Sequence, residues 1–129
     1  GPEVVIASLA RAGTPIGILL RRWAAECHGL DWPHYTLSIV RDRGIDANAL
    51  DYLATRHQSS DVQFVDGWTG KGAIARELKL ALAAYNLQRH ERFIDTLAVL
   101  ADPGYCATLF GTRDDFLIPS ACLNSTVPD

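Results

Sequence analysis

Segments with strand and helix signals alternate along this sequence, and that alternation restricts the fold more than any other feature. Short apolar runs rich in β-branched residues predict strands at residues 4–7, 35–40, 62–65 and 96–101. Apolar side chains at helical spacing fill the intervals between these runs. Strands that alternate with helices pair in parallel through right-handed crossovers. The sequence therefore predicts an α/β fold with a Rossmann-like parallel sheet and flanking helices.

The ends of the predicted helices carry recognisable signals. Pro15 suits a first helical turn, because its missing amide donor would be unpaired there in any case. Gly29 is a suitable helix stop, and Asp46 can cap a helix over residues 47–57. A third helix is predicted after residue 72, with the apolar stripe Ile74, Leu78, Ala81, Leu82 and Tyr85. Residues 110–127 are the hardest to interpret, with a short strand expected near residues 116–118.

Length and charge limit the class of protein. A chain of 129 residues suits one compact domain with a single core. Its formal net charge of −3 gives no bulk attraction to nucleic acid or anionic lipid. No run reaches the roughly 18 apolar residues that a membrane span needs, and no basic, cleavable leader is present. We therefore expect a cytoplasmic protein with no membrane partner, whose oligomeric state stays open.

Two further counts bear on processing and redox state. The sequence contains no Met, so we expect it to be a fragment or a processed piece of a longer chain, forming a single domain over residues 1–129. Its three cysteines lack CxxC spacing, which argues against a disulfide framework and a structural zinc site. Reduced thiols are the simpler expectation.

The segment from Asp66 to Gly72 carries the strongest functional signal. It follows a predicted strand, precedes a predicted helix and contains three glycines: Gly67, Gly70 and Gly72. Glycines let backbone amides turn inward as an anion-binding nest, and the helix start adds its positive end. Thr69 can donate a hydroxyl and Lys71 supplies charge, while Asp66 can bind sugar hydroxyls or a Mg²⁺ ion. The alternative is an ordinary tight turn that Asp66 caps.

A second loop, at residues 10–15, follows the first predicted strand in the same way. Gly13 can allow close approach of a ligand to the backbone, and Arg11 can bind a phosphate or carboxylate. Ala12 and Thr14 belong to the same predicted ligand-binding set, and so does Asp102 at the end of the fourth strand. Arg11 as a solvated surface charge is the alternative. Because ligands bind beyond the carboxyl ends of strands in such sheets, we expect the two loops to share one crevice.

Cysteine chemistry is a separate possibility. Cys106 and Cys122 lie in or beside predicted loops, where a reactive thiol is conceivable, whereas Cys27 falls on a helix stripe and suits core packing. A cysteine nucleophile needs a base, for which His is the usual residue. The four histidines are distant in sequence from both cysteines, and spacing alone defines no dyad.

The stretches SLARAGTP and VDGWTGKG together resemble the pyrophosphate loop and the 5-phosphate loop of type I phosphoribosyltransferases. With LADPGYC and GTRDDFLIPSACLNSTV, the chain more closely resembles a bacterial family found with tellurite-resistance and stress genes. That family is described as phosphoribosyltransferase-like, is often joined to a Pelota-type RNA-binding domain, and is also labelled the cysteine protease StiP family.

The resemblance implies a site for phosphoribosyl pyrophosphate or a related ribose phosphate. Asp66 would contact the ribose and act with Arg11 in catalysis, residues 69–72 would hold the 5-phosphate, and residues 11–13 the pyrophosphate. Mg²⁺ would be held mainly by the diphosphate. This chain departs from the transferase pattern at Gly67, where a second acid is usual, and at Trp68, which puts transfer activity in doubt.

A phosphoribosyltransferase-like domain in stress-response nucleoside metabolism is the leading expectation from these residues. Two alternatives remain. One is a cysteine protease with Cys106 or Cys122 as its nucleophile. The other is a catalytically idle nucleotide-binding module that regulates a fused RNA-binding domain, which the lost acid at Gly67 fits well.

Overall fold

A computed structural model of the chain describes residues 3–40, 42–67, 73–100 and 123–126. These described residues form six strands: β1 (Val5–Ala10), β2 (His34–Val40), β3 (Gly44–Ile45), β4 (Val62–Val65), β5 (Leu97–Leu100) and β6 (Leu123–Thr126). Three α-helices connect them, α1 (Gly13–His28), α2 (Ala47–Arg56) and α3 (Ala73–Arg89), and a short 3-10 helix precedes β4 (Ser59–Asp61).

The strands form one sheet in the order β3-β2-β1-β4-β5-β6. The four central strands, β2, β1, β4 and β5, pair in parallel, and the edge strands β3 and β6 pair antiparallel to their neighbours. The predicted α/β class is confirmed. The prediction of a wholly parallel sheet is wrong at both edges, because β3 turns back directly on β2 and β6 returns along β5.

The helix ends follow the predicted signals. Gly29 adopts a left-handed conformation with φ 63°, and its amide donates to the carbonyls of Ala24 and Ala25, which ends α1. The Asp46 carboxylate accepts a hydrogen bond of 2.9 Å from the backbone amide of Asn48 and so caps α2. Both features satisfy backbone groups that a helix end would otherwise leave without partners.

The helices cover the two faces of the sheet unequally. Helices α2 and α3 pack on one face over a large apolar cluster that includes Leu50, Leu53, Phe64, Leu78 and Leu82. Helix α1 packs on the other face over a smaller cluster, whose buried members are Ile6, Ile16, Leu20, Val65 and Ala98. Alternate residues of β1 therefore belong to different cores, as the two-residue period of a strand requires.

Several predicted boundaries were wrong. Strand β1 continues to Ala10 although the apolar run ends at Ala7, because Ser8 and Leu9 also pair with neighbouring strands. Helix α1 begins at Gly13, so the predicted loop at residues 10–15 is only the turn Arg11–Ala12. Strand β3, at Gly44–Ile45, was not predicted. The strand expected at residues 116–118 lies outside the described residues.

In the described ranges, no helix combines the length and the apolar character needed to cross a membrane. The extent of the domain and a cytoplasmic location stay predictions.

Candidate functional site at the carboxyl edge of the sheet

The switch point expected in a doubly wound sheet lies at the pair β1 and β4. From β1 the chain crosses through α1 to β2 on one side, and the later crossovers through α2 and α3 lead to β4 and β5 on the other side. The strand order therefore reverses at the β1–β4 pair, where Ser8 is in register with Val65. Ligands of such sheets bind outside the carboxyl ends at this switch point.

The two turns at the switch point are in contact. A side chain at Gly13 would overlap with the Val65 carbonyl oxygen, and a side chain at Gly67 would overlap with the Cβ atom of Ala12. The missing side chains thus allow the start of α1 to lie directly against the end of β4. The structure brings Arg11, Ala12 and Gly13 together with Asp66 and Gly67 at one edge of the sheet.

Asp66 is the buried acid of this edge, with 7% of its surface exposed. Its backbone amide donates to the Ala98 carbonyl at 2.9 Å, and its Oδ1 accepts from the Gly67 amide at 2.8 Å. Burial raises the pKa of the Asp66 carboxyl, and the Gly67 hydrogen bond opposes that rise only in part. A carboxyl with a raised pKa at a strand end is a feature common to functional sites.

The other predicted site residues fall into three groups. Arg11 and Ala12 are exposed in the turn, as a contact with a ligand requires. Gly13 and Thr14 lie in the first turn of α1, and Gly13 is buried against β4, so its missing side chain serves packing. The remaining residues, Thr69, Gly70, Lys71, Gly72, Asp102, Cys106 and Cys122, lie outside the described residues.

Sequence reasoning missed a polar pair beneath this edge. The Ser8 hydroxyl lies 2.7 Å from Nε2 of His34, and a side chain at Gly17 would overlap with both residues. Burial lowers the pKa of the His34 imidazole, and the nearby Arg21 guanidinium lowers it further. Ser8 is fully buried, so its hydroxyl positions the ring of His34 and is not accessible to a substrate.

The histidines lie away from the turns at the carboxyl edge. His28, His57 and His90 stand at or directly after the last residues of α1, α2 and α3. Each helix starts after the end of one strand and returns to the start of the next parallel strand, so these three histidines lie toward the amino edge. The contacts of His57 with Glu3 at 3.1 Å and Tyr35 at 2.9 Å agree with this placement.

No group of three or more His, Cys, Asp or Glu side chains that could hold a metal ion occurs among the residues that the structure describes. The predicted Mg²⁺ was expected to be held mainly by a diphosphate ligand, and it stays a prediction.

The fold and the position of its switch point define an α/β domain with a candidate site at the carboxyl edge of its central strands. The chain belongs to the family described as tellurite-like stress resistance cysteine protease StiP, whose profile matches residues 1–128. It is 46% identical over 127 residues to a protein named cysteine protease StiP from Acinetobacter baylyi, which covers 96% of this chain and 32% of that protein. The chain thus spans about a third of that relative's length. No solved structure matches it.

These matches correct the leading functional expectation. Membership of the StiP family, expected from the sequence motifs, is confirmed. The prediction of a phosphoribosyltransferase-like function is contradicted, because both the family and the relative are named for cysteine proteolysis. The alternative that makes a cysteine the nucleophile agrees with these names.

Proposed function

We propose that this chain carries the nucleophile of a cysteine protease, and that the nucleophile is Cys106 or Cys122. The observation that carries the proposal is the family match over residues 1–128, together with the name of the 46% identical relative. Because the chain spans 32% of that relative, we propose the activity for the longer protein of which such a chain is a part.

The register of β5 and β6 supports the choice between the three cysteines. Leu100, the last residue of β5, pairs with Leu123, the first residue of β6. Leu100 and Leu123, the described residues on either side of the intervening sequence, therefore stand at the carboxyl edge of the sheet. Cys122 directly precedes Leu123 in the sequence. Cys27 instead lies half-buried in the last turns of α1, toward the opposite edge.

The chemistry follows from a thiolate at this edge. The sulfur attacks a peptide carbonyl carbon, a thioester forms as the amine leaves with a proton, and water then hydrolyses the thioester to release the acid and restore the thiol. A thiolate is favoured by nearby cations and by helix N-termini. The exposed Arg11 and the start of α1 lie at this same edge of the sheet, at the switch point.

The usual proton acceptor of such a thiol is a histidine, but His28, His57 and His90 follow the helix ends at the other edge of the sheet. We therefore propose no histidine of this chain as the base. Asp66 is a buried acid at the same edge of the sheet, and burial raises the pKa of its carboxyl.

For the fold, we propose a Rossmann-like relationship. It is supported by the parallel order β2-β1-β4-β5 and by helices on both faces of the sheet. A cytoplasmic location and a Pelota-type RNA-binding domain elsewhere in the longer protein stay predictions.

The test is the alkylation rate of each cysteine by iodoacetamide at pH 7, mapped by mass spectrometry. A nucleophilic cysteine reacts as its thiolate, so we expect Cys106 or Cys122 to react at least about tenfold faster than a cysteine in an unstructured peptide. Changing that residue to Ser should remove the fast phase.

Cys27→Ser is the matched control and should leave the fast phase unchanged. Slow and equal labelling of Cys106 and Cys122, at the rate of the unstructured peptide, would overturn the proposal. A fast phase that disappears only in Cys27→Ser would overturn the choice of residue.

A further inference from the structure

Strand β2 is paired on both sides along only part of its length. Its residues 34–38 pair with β1, from His34 opposite Ile6 to Ser38 opposite Ala10. On its other side, β3 covers only Ile39 and Val40. Within the described ranges, no strand pairs with the outer side of residues 34–38, so this part of β2 is an open sheet edge.

The hydrogen-bond pattern identifies which backbone groups face outward. The Ile6 amide donates to the Pro33 carbonyl at 2.8 Å, so residues 33, 35 and 37 direct their backbone groups toward β1. The alternate residues His34, Thr36 and Ser38 direct theirs away from β1. The Val40 carbonyl accepts from the Arg43 amide at 2.9 Å in the turn to β3, which agrees with this alternation. Open edges of this kind pair with an added strand.

A groove runs beside this edge, between β2 and α2. It encloses about 470 Å³ and is lined by Tyr35, Thr36 and Leu37 from the strand and by Asp46, Asn48, Ala49, Tyr52 and Leu53 from the helix. Its floor is apolar, since Leu37 and Leu53 belong to the larger core. Tyr52 is 46% exposed and meets Tyr35 edge to face at 5.8 Å between ring centroids. The groove therefore suits apolar side chains on one face of an added strand.

The charges at the two ends of the groove differ in sign. Asp46 stands exposed at the start of α2, near the carboxyl edge. Arg56 stands at the end of α2, with its guanidinium 3.6 Å from the centroid of the Tyr52 ring. Glu3, the acid at that end, is engaged with His57. Ten residues of helix span about 15 Å, which about five residues of an extended strand also span.

We propose that the open edge of β2 binds an extended peptide segment that runs antiparallel to the strand, with a cationic residue near Asp46 and an anionic residue near Arg56. The outward groups of Thr36 and its alternate neighbours pair with the peptide backbone, and an apolar residue between the two charges enters the groove against Tyr52. This site is separate from the proposed thiol chemistry and does not depend on it.

The test uses the 129-residue chain labelled with ¹⁵N and the peptide acetyl-Lys-Thr-Val-Thr-Glu-amide. Its first, third and fifth side chains share one face, so the two charges and the valine can all face α2. We expect saturable shifts of the amide signals of residues 34–38 with a dissociation constant on the order of 1 mM. The peptide acetyl-Glu-Thr-Val-Thr-Lys-amide has the same composition with reversed charges and should bind at least about threefold more weakly.

Thr36→Pro removes one outward donor and leaves the bonds to β1 intact, since proline is tolerated at sheet edges. We expect about five- to tenfold weaker binding, as for one lost hydrogen bond. Thr36→Val keeps the donor and should bind as the unchanged chain does. The proposal would be overturned if the amide signals did not shift at a peptide concentration roughly ten times the expected dissociation constant. Equal affinity of Thr36→Pro and Thr36→Val for the peptide would also overturn it.

A second pair of peptides keeps the proposal falsifiable if Thr36→Pro does not fold. One peptide carries N-methyl groups on both threonines, and the other carries one on the valine. Alternate residues of a strand face opposite sides, so only one of these two peptides should lose binding. Equal binding of both N-methylated peptides would overturn the proposed backbone pairing.

Discussion

The face of the sheet beneath α2 and α3 is filled by large apolar side chains, whereas the face beneath α1 combines a small apolar cluster with a buried polar pair. Phe64, Leu78 and Leu82 are almost fully buried on the first face. On the second face, Ser8 and His34 hydrogen-bond beneath Gly17. The first face stabilises the fold by apolar burial. The second face depends on close approach between the backbone of α1 and the strands, so that α1 packs directly against the strands beside the candidate site.

The largest effect that separates the faces should come from truncating a leucine on each. Leu82→Ala removes a side chain that is 1% exposed in the larger cluster, and we expect it to lower the free energy of unfolding by about 2–5 kcal/mol. Leu20→Ala, on α1 with 7% exposed, should cost less because its cluster is smaller and more open. Urea denaturation measures both. An equal loss of unfolding free energy in Leu82→Ala and Leu20→Ala would show that the two faces of the sheet do not differ in this way.

A smaller but more specific effect should follow from Gly17→Ala. The added methyl group would overlap with the Ser8 hydroxyl and the His34 ring, so we expect a loss of about 1–3 kcal/mol in the free energy of unfolding. Ser8→Ala removes the nearest obstructing atom, so the double variant should lose less than the sum of the two single variants. Strict additivity in a double-mutant cycle would show that Ser8 does not limit the approach of α1.

The polar pair also makes the α1 face sensitive to acid. The pKa of His34 is lowered by burial and by Arg21, so the unfolded chain binds the proton more readily than the folded chain. The stability that neutral His34 contributes is fully present above the ordinary imidazole pKa of about 6.5. It is lost as the pH falls through the lowered pKa of the folded chain. We expect Tm to fall less steeply below pH 6.5 in His34→Gln than in the unchanged chain.

His90→Asn is the control for that comparison. His90 is exposed with φ 57°, a conformation that asparagine tolerates. If His90→Asn and His34→Gln reduce the fall of Tm at acid pH by the same amount, the buried Ser8–His34 pair is not the cause of that fall.

The smallest effect should arise at Asp66, and its pH dependence has the opposite sign. Burial raises the pKa of this carboxyl, so the folded chain binds its proton more readily than the unfolded chain does. The stability that this contributes is fully present below the ordinary pKa of about 3.9 and is lost as the pH rises through the raised pKa of the folded chain. Asp66→Asn keeps an acceptor for the Gly67 amide and should raise Tm slightly at pH 7, with the difference shrinking toward pH 4.

The exposed Asp31→Asn is a matched control, with no effect expected beyond a weak surface ion pair to Arg21. An Asp66→Asn variant less stable than the unchanged chain at pH 7 would contradict the assigned cause of the raised pKa.

Local signals were enough to predict some elements and not others. Strand β4 matches its predicted bounds, because three of the four residues between Asp61 and Asp66 are apolar. Strand β3 has two residues and no periodicity to detect. The antiparallel edge strand β6 is Leu-Asn-Ser-Thr, a composition with little β propensity that is paired through its register with β5.

The candidate site was predictable only where chain order determines it. The crossover rule places Arg11 and Asp66 directly after the ends of neighbouring strands. The close contacts at Gly13 and Gly67 then bring the two turns together. The Ser8–His34 pair joins residues 26 positions apart. The pair depends on the register of β1 against β2 and on how closely α1 packs against these strands at Gly17. Neither can be read from a local sequence pattern.

The pH profile of alkylation tests the central claim, a nucleophilic thiol at Cys106 or Cys122, most directly. The rate constant of the fast-reacting cysteine is measured with iodoacetamide from pH 5 to 10. We predict a half-maximal rate at least about one pH unit below 8.5, because a catalytic cysteine ionises more readily than an ordinary one. A half-maximal rate at or above about 8.5 for both Cys106 and Cys122 would contradict the account.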